Sequence, residues 1–378
     1  MNKLWGFLMH LIWIGVLLLI LSIFIKKNKF LYLAQILFMV LVAANNNMNA
    51  DYVNYLNGYR YMFNYHGLIS EPIFWLLART SNIIGLDFLG YRYIFFGIAF
   101  ILLGYVIWKL AEFPNIILGF YFLYPFSMDV IQMRSLMANA LVLFAILKLQ
   151  NYINSKNIRD IIISIVLVAV ATGFHFFAAA SAIMYLALIS EKTFKRYLPR
   201  FLALGIVVLL ALAAFGSRIN AKLTELGIIE KVASYQERDS KIGGYLLSVL
   251  ILRVMFIMIC WLAMHVPSAD DGFEGKDTLR SNNQFQFRCI CLLSLYVFLE
   301  LFVSMEIERI SRVNLILGYI LMTNTKLITE RNNHRIIKCF IYAFVIGYFY
   351  IMYFRHFAES SNWFEYAFKP IFENNLLN

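Results

Sequence analysis

A group of polar side chains in residues 129–139 is the part of the sequence best suited to chemistry. Asp129, Gln132 and Arg134 stand at the beginning of an apolar segment that runs to about Lys148. An arginine where a membrane helix begins is costly in hydrocarbon, so it tends to occupy a protein-lined cavity beside an anionic group. We therefore expect Arg134 and Gln132 to bind an anionic part of a ligand. The alternative is a local ion pair between Arg134 and Asp129.

Three further residues are candidates for the general base that removes a proton from an attacking hydroxyl group: His175, Asp51 and Glu71. Each also has a structural interpretation. His175 lies between aromatic residues and could serve packing alone. Asp51 could cap a helix, and Glu71 could anchor the helix that Pro72 begins.

Four more arginines are candidates for binding an anion, because a planar guanidinium group holds phosphate through two parallel hydrogen bonds. They are Arg79, Arg253, Arg309 and Arg312. Arg253 falls near the middle of an apolar segment and could instead bind the carbonyl groups of a neighbouring helix, or Glu300. The four cysteines lack the spacing of a metal or redox site. We predict neither a metal nor a cofactor.

The composition predicts the elements that must position these residues. The 378 residues are 61% hydrophobic and 15% charged, with a mean hydropathy of +0.70, whereas soluble domains average about 25% charged residues. These values are typical of an all-α, polytopic integral membrane protein. The net charge of +11 does not indicate a nucleic-acid partner, because the basic residues are spread through short loops and form no basic face.

Apolar segments predict about twelve membrane-spanning helices in a single transmembrane domain of residues 1–378. The expected spans are 4–25, 30–44, 89–108, 114–128, one that ends at Lys148, 160–173, one that ends near Glu191, 201–216, 244–264, 286–304, one that ends near Lys326, and 336–354. Residues 73–86 are too short to span and predict an interfacial or re-entrant helix.

The lysines at Lys26, Lys27 and Lys29 predict the orientation. By the positive-inside rule this cluster faces the cytoplasm, so both termini lie outside. Two large extracytoplasmic loops follow, at about 45–88 and 217–243. Lysine predominates in the predicted inner loops and arginine in the outer ones. Because arginine is the better bidentate phosphate ligand, this distribution indicates a phosphate-bearing ligand on the outer face.

Several short motifs, taken in order, resemble those of a known family. The chain is similar to the EpsG-like branch of Wzy-type bacterial polysaccharide polymerases at Asp51-Tyr52 with Tyr55 and Tyr59, at Glu71-Pro72, at Gln132-Met133-Arg134 with Ala138, at Phe174-His175 and at Glu308-Arg309. It departs from the family pattern at Ile73, where glycine is usual, and at Arg312-Val313, where tyrosine and phenylalanine are usual.

The resemblance implies a glycosyltransferase in the bacterial cytoplasmic membrane with its active site outside. Its substrate would be an oligosaccharide repeat unit linked to undecaprenyl pyrophosphate, joined into O antigen, capsule or exopolysaccharide. The arginines would stabilise the pyrophosphate leaving group as it gains charge. Membrane lipid, a flippase and a chain-length regulator are the expected partners.

Other classes of protein remain open at this stage. A lipid-linked oligosaccharide flippase would bind the same lipid, although the two halves of the chain show no repeat. An O-antigen ligase-like transferase would share the arginines and the histidine. A transferase that uses polyprenyl-phosphate sugar would take Asp51 as its base. A non-enzymatic membrane subunit is disfavoured by the concentration of ionisable groups on one face.

The predicted orientation can be tested by chemical labelling. Cysteines introduced near residues 60 and 230 should react with an impermeant thiol reagent in intact spheroplasts, because both positions lie in outer loops. A cysteine near residue 275 should be protected. The reverse labelling pattern would invert the topology.

Overall fold

The protein is described by a computed structural model over most of its length. The described residues are 2–61, 71–189, 193, 194, 196, 200, 243–265, 276–295, 308–324, 335–354, 356–358 and 361–377. Within them the chain is nearly all helical. The strands in this part of the chain form one short antiparallel pair near the C-terminus.

The helices and strands follow one another without a large sheet. They are α1 (Asn2–Phe24), α2 (Lys29–Asn45), α3 (Tyr52–Arg60), α4 (Pro72–Ile83), α5 (Phe88–Leu110), α6 (Pro114–Leu123), α7 (Phe126–Ile131), α8 (Met133–Ser155), α9 (Ile158–Phe174), a 3₁₀ helix (Phe176–Leu188), α10 (Gly243–His265), α11 (Lys276–Ser294), α12 (Glu308–Asn324), α13 (Arg335–Phe354), β1 (His356–Ala358), β2 (Ser361–Asn362), a π-helix (Phe364–Phe368) and α14 (Lys369–Glu373).

The apolar helices agree with a membrane protein, but the count of twelve spans is not confirmed. Among the described residues, α5 and α8 are long and apolar enough to cross a membrane. Several other apolar helices are shorter, including the apolar parts of α1, α10 and α13. The predicted span 201–216 and nearly all of the predicted loop 217–243 lie outside the described residues.

The predicted fourth span, 114–128, is wrong as a single helix. Helix α6 ends at Leu123, and α7 begins again at Phe126. Between them Tyr124 is extended, with φ −160° and ψ 130°, directly before Pro125. A residue that precedes proline is pushed out of the helical region by contact with the proline ring. Two short helices therefore form where apolar composition predicted one long helix.

Other boundaries also differ from the prediction. Residues 176–188, within the predicted seventh span, form a 3₁₀ helix instead of an α-helix. Helix α11 begins at Lys276, ten residues before the predicted tenth span, in a segment assigned to a cytoplasmic loop. The predicted outer loop 45–88 contains α3 and α4, and α4 confirms a short helix within 73–86.

Helices α8 and α9 form a hairpin against which α5 packs. Lys156 ends α8 in the left-handed conformation with φ 58°. Asn157 then starts α9, and its side chain accepts a hydrogen bond from the Arg159 amide at 3.1 Å. A connection this short makes the two helices antiparallel. The beginning of α8, with Arg134, thus lies at the same end of the hairpin as His175, which follows α9.

An asparagine-rich segment, residues 45–49, is held by the C-terminal segment, residues 370–376. The Asn46 amide donates to the carbonyl oxygens of Pro370 and Asn374, both at 3.0 Å. The Asn375 amide donates to the Val42 carbonyl oxygen at 2.9 Å. We call this set of hydrogen bonds the asparagine clasp.

The asparagine clasp also involves an arginine and the start of α3. Arg92, which is buried, donates to the carbonyl oxygens of Asn46 and Ala43. The Asn49 side chain donates to Asn46 Oδ1 at 2.6 Å and accepts from the Asp51 amide at 3.1 Å. Residues distant in sequence therefore fix the entry to α3.

The chain divides into two compact units. The first contains Met1–Ala179 and Tyr319–Asn378, and the second contains Ala180–Gly318. Within the second unit α12 approaches α10 closely at Gly318, where a Cβ atom would lie 2.0 Å from the Phe256 ring. The expectation of a single transmembrane domain stays a prediction.

The asparagine clasp predicts that Asn46→Ala destabilises the protein by about 3 kcal/mol, because the Asn46 side chain makes three hydrogen bonds and each contributes about 1 kcal/mol. Asn47→Ala is the matched control, since the described contact of Asn47 is a backbone hydrogen bond to Asn374. Unfolding of the purified protein in detergent measures both. Equal midpoints for the two variants would show that the clasp contributes no stability.

Candidate functional site

An ion pair between Arg134 and Glu71 forms the centre of the site. Arg134 Nη1 donates to Glu71 Oε2, and Arg134 Nε donates to the Tyr55 hydroxyl oxygen at 3.3 Å. The Glu71 side chain is 9% exposed and that of Arg134 is 24% exposed. The carboxylate is thus sheltered, whereas part of the arginine remains open to a ligand.

Local sequence explains why both charges stand at helix beginnings. Pro72 occupies the first turn of α4, a position that suits proline because its missing N–H group is not needed there. Glu71 precedes it, and its carboxylate makes no capping hydrogen bond. Glu71 thus anchors the start of α4 through its ion pair with Arg134 and not through a capping hydrogen bond. Gln132 is the N-cap residue of α8, which puts Arg134 in the first turn.

The alternative partner of Arg134, Asp129, has a different environment. Asp129 is fully buried on α7, and its carboxylate accepts a hydrogen bond from the Tyr121 hydroxyl group at 2.8 Å. The ion pair of Arg134 is instead made with Glu71, 63 positions away. The hypothesis of a local ion pair with Asp129 is replaced by a pairing between α8 and the start of α4.

Aromatic rings hold the guanidinium group of Arg134 in place. Its central carbon lies 5.4 Å from the ring centre of Tyr55 and 5.9 Å from that of Phe74. The two rings also contact each other, with 5.7 Å between their centres. A cation over an aromatic face gains about 0.5–2 kcal/mol, more when it is shielded from water. The rings therefore stabilise the buried charge and fix its orientation.

Asp51 stands at the N-terminal end of α3, one helical turn before Tyr55. Residues four apart lie on the same helical face, so Asp51 and Tyr55 face the same way. The Asp51 side chain is partly exposed and makes no capping hydrogen bond. Tyr55 contacts Arg134, which brings Asp51 to the side of the ion pair. Asp51 occupies the N-cap position of α3, as the capping interpretation predicts, but its side chain makes no capping hydrogen bond.

His175 lies directly after α9, and it is buried at 4% exposure. Its ring is tilted against Phe177, with 5.7 Å between centres. The end of α9 meets the start of α4 at Gly173, where a Cβ atom would lie 2.5 Å from Ile73 Cδ1. The isoleucine that departs from the family pattern is thus accommodated by a glycine on the facing helix. This contact brings His175 towards the helix start that carries Glu71.

The first unit contains two other candidate residues, Gln132 and Arg79. The Gln132 carbonyl oxygen accepts hydrogen bonds from the Ser135 and Leu136 amides at 2.9 and 3.2 Å, so its backbone supports the first turn of α8. Arg79 is exposed on α4. It lies eight residues after Glu71, which is about 12 Å along the helix axis. The structure does not bring Arg79 to the ion pair.

The other three arginines belong to the second unit. Arg253, 4% exposed, donates to the hydroxyl and carbonyl oxygens of Ser311, the latter at 3.5 Å. This confirms the interpretation that Arg253 binds a carbonyl group of a neighbouring helix, and Glu300 lies outside the described residues. Arg309 and Arg312 flank Ser311 at the start of α12, and Arg312 is buried. Buried cations thus gather around the beginning of α12.

Sequence reasoning missed two contributors to the first unit. Tyr55 belongs to the family motif but had no assigned role, although its spacing of four residues from Asp51 was a usable signal. Arg92 falls within the predicted span 89–108 and had no assigned role, whereas it is buried in α5 and supports the asparagine clasp. Among the described residues no three His, Cys, Asp or Glu side chains gather as metal ligands. The absence of a metal and a cofactor stays a prediction.

A double-mutant cycle tests the ion pair. Glu71→Gln and Arg134→Gln should each destabilise the protein, and their coupling energy should be about 1–3 kcal/mol because the side chains are in direct contact. Asp129→Asn with Arg134→Gln is the control cycle, for which we expect a smaller coupling. Unfolding in detergent measures all variants. A stronger coupling in the control cycle would show that Asp129, and not Glu71, is the ion-pair partner of Arg134.

The comparisons with known proteins agree with the order of the motifs. Neither a curated protein nor a solved structure matches the chain. A family model described as the EpsG family matches residues 29–368, a range that contains every candidate site residue discussed above. The chain belongs to the EpsG family.

Proposed function

We propose that this protein is a polysaccharide polymerase, a glycosyltransferase that joins oligosaccharide repeat units carried on undecaprenyl pyrophosphate. Membership of the EpsG family supports a role in polysaccharide synthesis. The observation that carries the proposal is the partly exposed Arg134, oriented by Glu71 and Tyr55 at the start of a long apolar helix. We place the reaction on the outer face of the bacterial cytoplasmic membrane, where it would supply O antigen, capsule or exopolysaccharide.

Arg134 is the proposed ligand of the pyrophosphate group. The hydroxyl oxygen of the acceptor sugar attacks the anomeric carbon of the donor glycan. The bond from that carbon to the pyrophosphate oxygen breaks, and the oxygen keeps the electron pair. A guanidinium group offsets the charge that develops on this oxygen, and the first turn of α8 adds the positive end of the helix dipole. Gln132 is a further candidate ligand in the first unit, where Arg79 has the least support. Arg309, Arg312 and Arg253 belong to the second unit and stay candidates for binding pyrophosphate or glycan on the sequence alone.

Asp51 is the proposed general base that takes the proton of the acceptor hydroxyl group. It is a partly exposed carboxylate without a capping hydrogen bond, on the helical face of Tyr55. Glu71 is engaged by Arg134, so its proposed role is to position the arginine. His175 is more deeply buried, and we propose that it supports the site from the end of α9.

Deletion of the gene separates polymerase from the other functional classes. Without a polymerase, single repeat units still cross the membrane, so the surface should carry one unit per acceptor and no ladder, in a host whose ligase accepts single units. Without a flippase the units stay on the cytoplasmic leaflet, and without a ligase long chains remain on the lipid carrier. Intact ladders after deletion would contradict the proposal.

Purified protein provides the direct test. Given only lipid-linked repeat units in detergent, it should release undecaprenyl pyrophosphate and form lipid-linked polymer without nucleotide sugar or divalent metal. Arg134→Lys should lower the rate at least about tenfold, because lysine keeps the charge but loses the bidentate fork. Three other substitutions should abolish polymer formation: Asp51→Asn, His175→Ala and Arg309→Ala. Arg60→Ala, an exposed arginine at the end of α3, is the matched control. Protein that is inert until a nucleotide sugar is added would overturn the proposal.

A further inference from the structure

A buried hydroxyl group beside the ion pair has no described role. Tyr91, in the first turn of α5, is 3% exposed, and its hydroxyl oxygen makes no hydrogen bond among the residues that the structure describes. A buried hydroxyl group left without a partner destabilises the folded state, because it has lost its hydrogen bonds to water. An unsatisfied buried hydroxyl group in a folded protein needs an explanation, and one explanation is that the group binds a ligand.

The surroundings of Tyr91 connect it to Arg134. Its ring contacts Phe74, and Phe74 and Tyr55 are the two rings that flank the guanidinium group of Arg134. Its ring centre lies 5.3 Å from that of Tyr59 and 6.3 Å from that of Phe74, which itself contacts the guanidinium group. The Tyr91 ring therefore packs among the aromatic side chains beside Arg134, which we call the aromatic wall: Tyr55, Tyr59 and Phe74. Packing alone would be served equally well by phenylalanine.

The neighbouring tyrosine shows the contrast. Tyr59 stacks on Tyr91 and is equally buried, but its hydroxyl group donates to the Leu86 carbonyl oxygen at 2.7 Å. Burial, with a smaller effect of the Asp87 carboxylate, raises the pKa of Tyr59, which keeps this donor protonated. The hydroxyl group of Tyr59 is thus bonded within the protein, whereas that of Tyr91 has no hydrogen-bond partner in the described part of the chain.

We infer that Tyr91 is a second ligand of the phosphate group bound by Arg134, and that its hydroxyl group donates a hydrogen bond to a phosphate oxygen. This inference rests on the proposed function, which supplies the pyrophosphate. Two donors of different kinds, a guanidinium group and a phenol, then converge on one anionic group. Because the hydroxyl group is buried in the unliganded protein, the phosphate reaches it only after a local rearrangement of the side chains that cover it.

The stability of two tyrosine variants gives the first test. Tyr91→Phe removes a hydroxyl group that has no hydrogen-bond partner among the described residues, so the unliganded protein should keep its unfolding midpoint in detergent or gain slightly. Tyr59→Phe, the matched control, removes a made hydrogen bond and should lower the midpoint. A loss for Tyr91→Phe as large as that for Tyr59→Phe would show a structural partner and overturn the inference.

Binding of undecaprenyl pyrophosphate gives the second test, with undecaprenol as the probe that lacks phosphate. The wild type should bind the pyrophosphate and not undecaprenol at the same concentration. Tyr91→Phe should bind the pyrophosphate at least about tenfold more weakly, since a hydrogen bond to a charged group contributes more than a neutral one. The same variant should also raise KM for the lipid-linked repeat unit more than it lowers kcat.

The outcomes separate the two proposals. If the wild type binds undecaprenyl pyrophosphate and Tyr91→Phe binds it equally well, the inference about Tyr91 is wrong and the proposed function stands. If the wild type binds neither lipid, or binds undecaprenol as well as the pyrophosphate, phosphate recognition at this site is wrong and the proposed function loses its main support.

Discussion

The ion pair between Glu71 and Arg134 is the interaction on which the rest of the first unit depends. Two charges removed from water lose hydration energy, and they recover it only when geometry and further hydrogen bonds are favourable. The Tyr55 hydroxyl group and two aromatic faces supply those further contacts. Because the pair joins residues 63 positions apart, it forms only when α4 and α8 begin at the right places. Proline fixes the start of α4, and Gln132 marks the start of α8.

The surrounding helices explain how this geometry is maintained. The hairpin of α8 and α9 returns the chain to the same end of the unit, and α4 packs on α9 where Gly173 leaves room for Ile73. Helix α3, which follows Asp51, has nine residues, and its Tyr55 and Tyr59 side chains are buried. It is held at its entry by the asparagine clasp and Arg92. The C-terminal segment thus supports a residue proposed for catalysis more than 300 positions earlier in the chain.

This arrangement suits a reaction in which charge develops on a leaving group. Arg134 and the start of a long helix are in place before any ligand arrives, so these two groups need little reorganisation during the reaction. A partly exposed cation beside a sheltered carboxylate also provides selectivity, since a neutral lipid cannot compete with Glu71 for Arg134. The aromatic wall excludes water, which strengthens each electrostatic contact inside it.

The sequence by itself determined the class of protein, the family and most helix positions, because apolar composition and short ordered motifs are local properties. It also indicated Glu71 and Arg134 as candidate site residues. It did not pair them, since a carboxylate five residues from Arg134 was the nearer candidate along the chain and only the fold brings α4 to α8. Pro125 by itself indicates a helix break after Tyr124, but the apolar composition of residues 114–128 favoured one long helix. The burial of Arg92, the unbonded hydroxyl group of Tyr91 and the asparagine clasp depend on contacts between distant segments. Tertiary structure alone decided them, because hydrogen-bond partners and burial are set by which helices meet and not by the residues that flank each side chain.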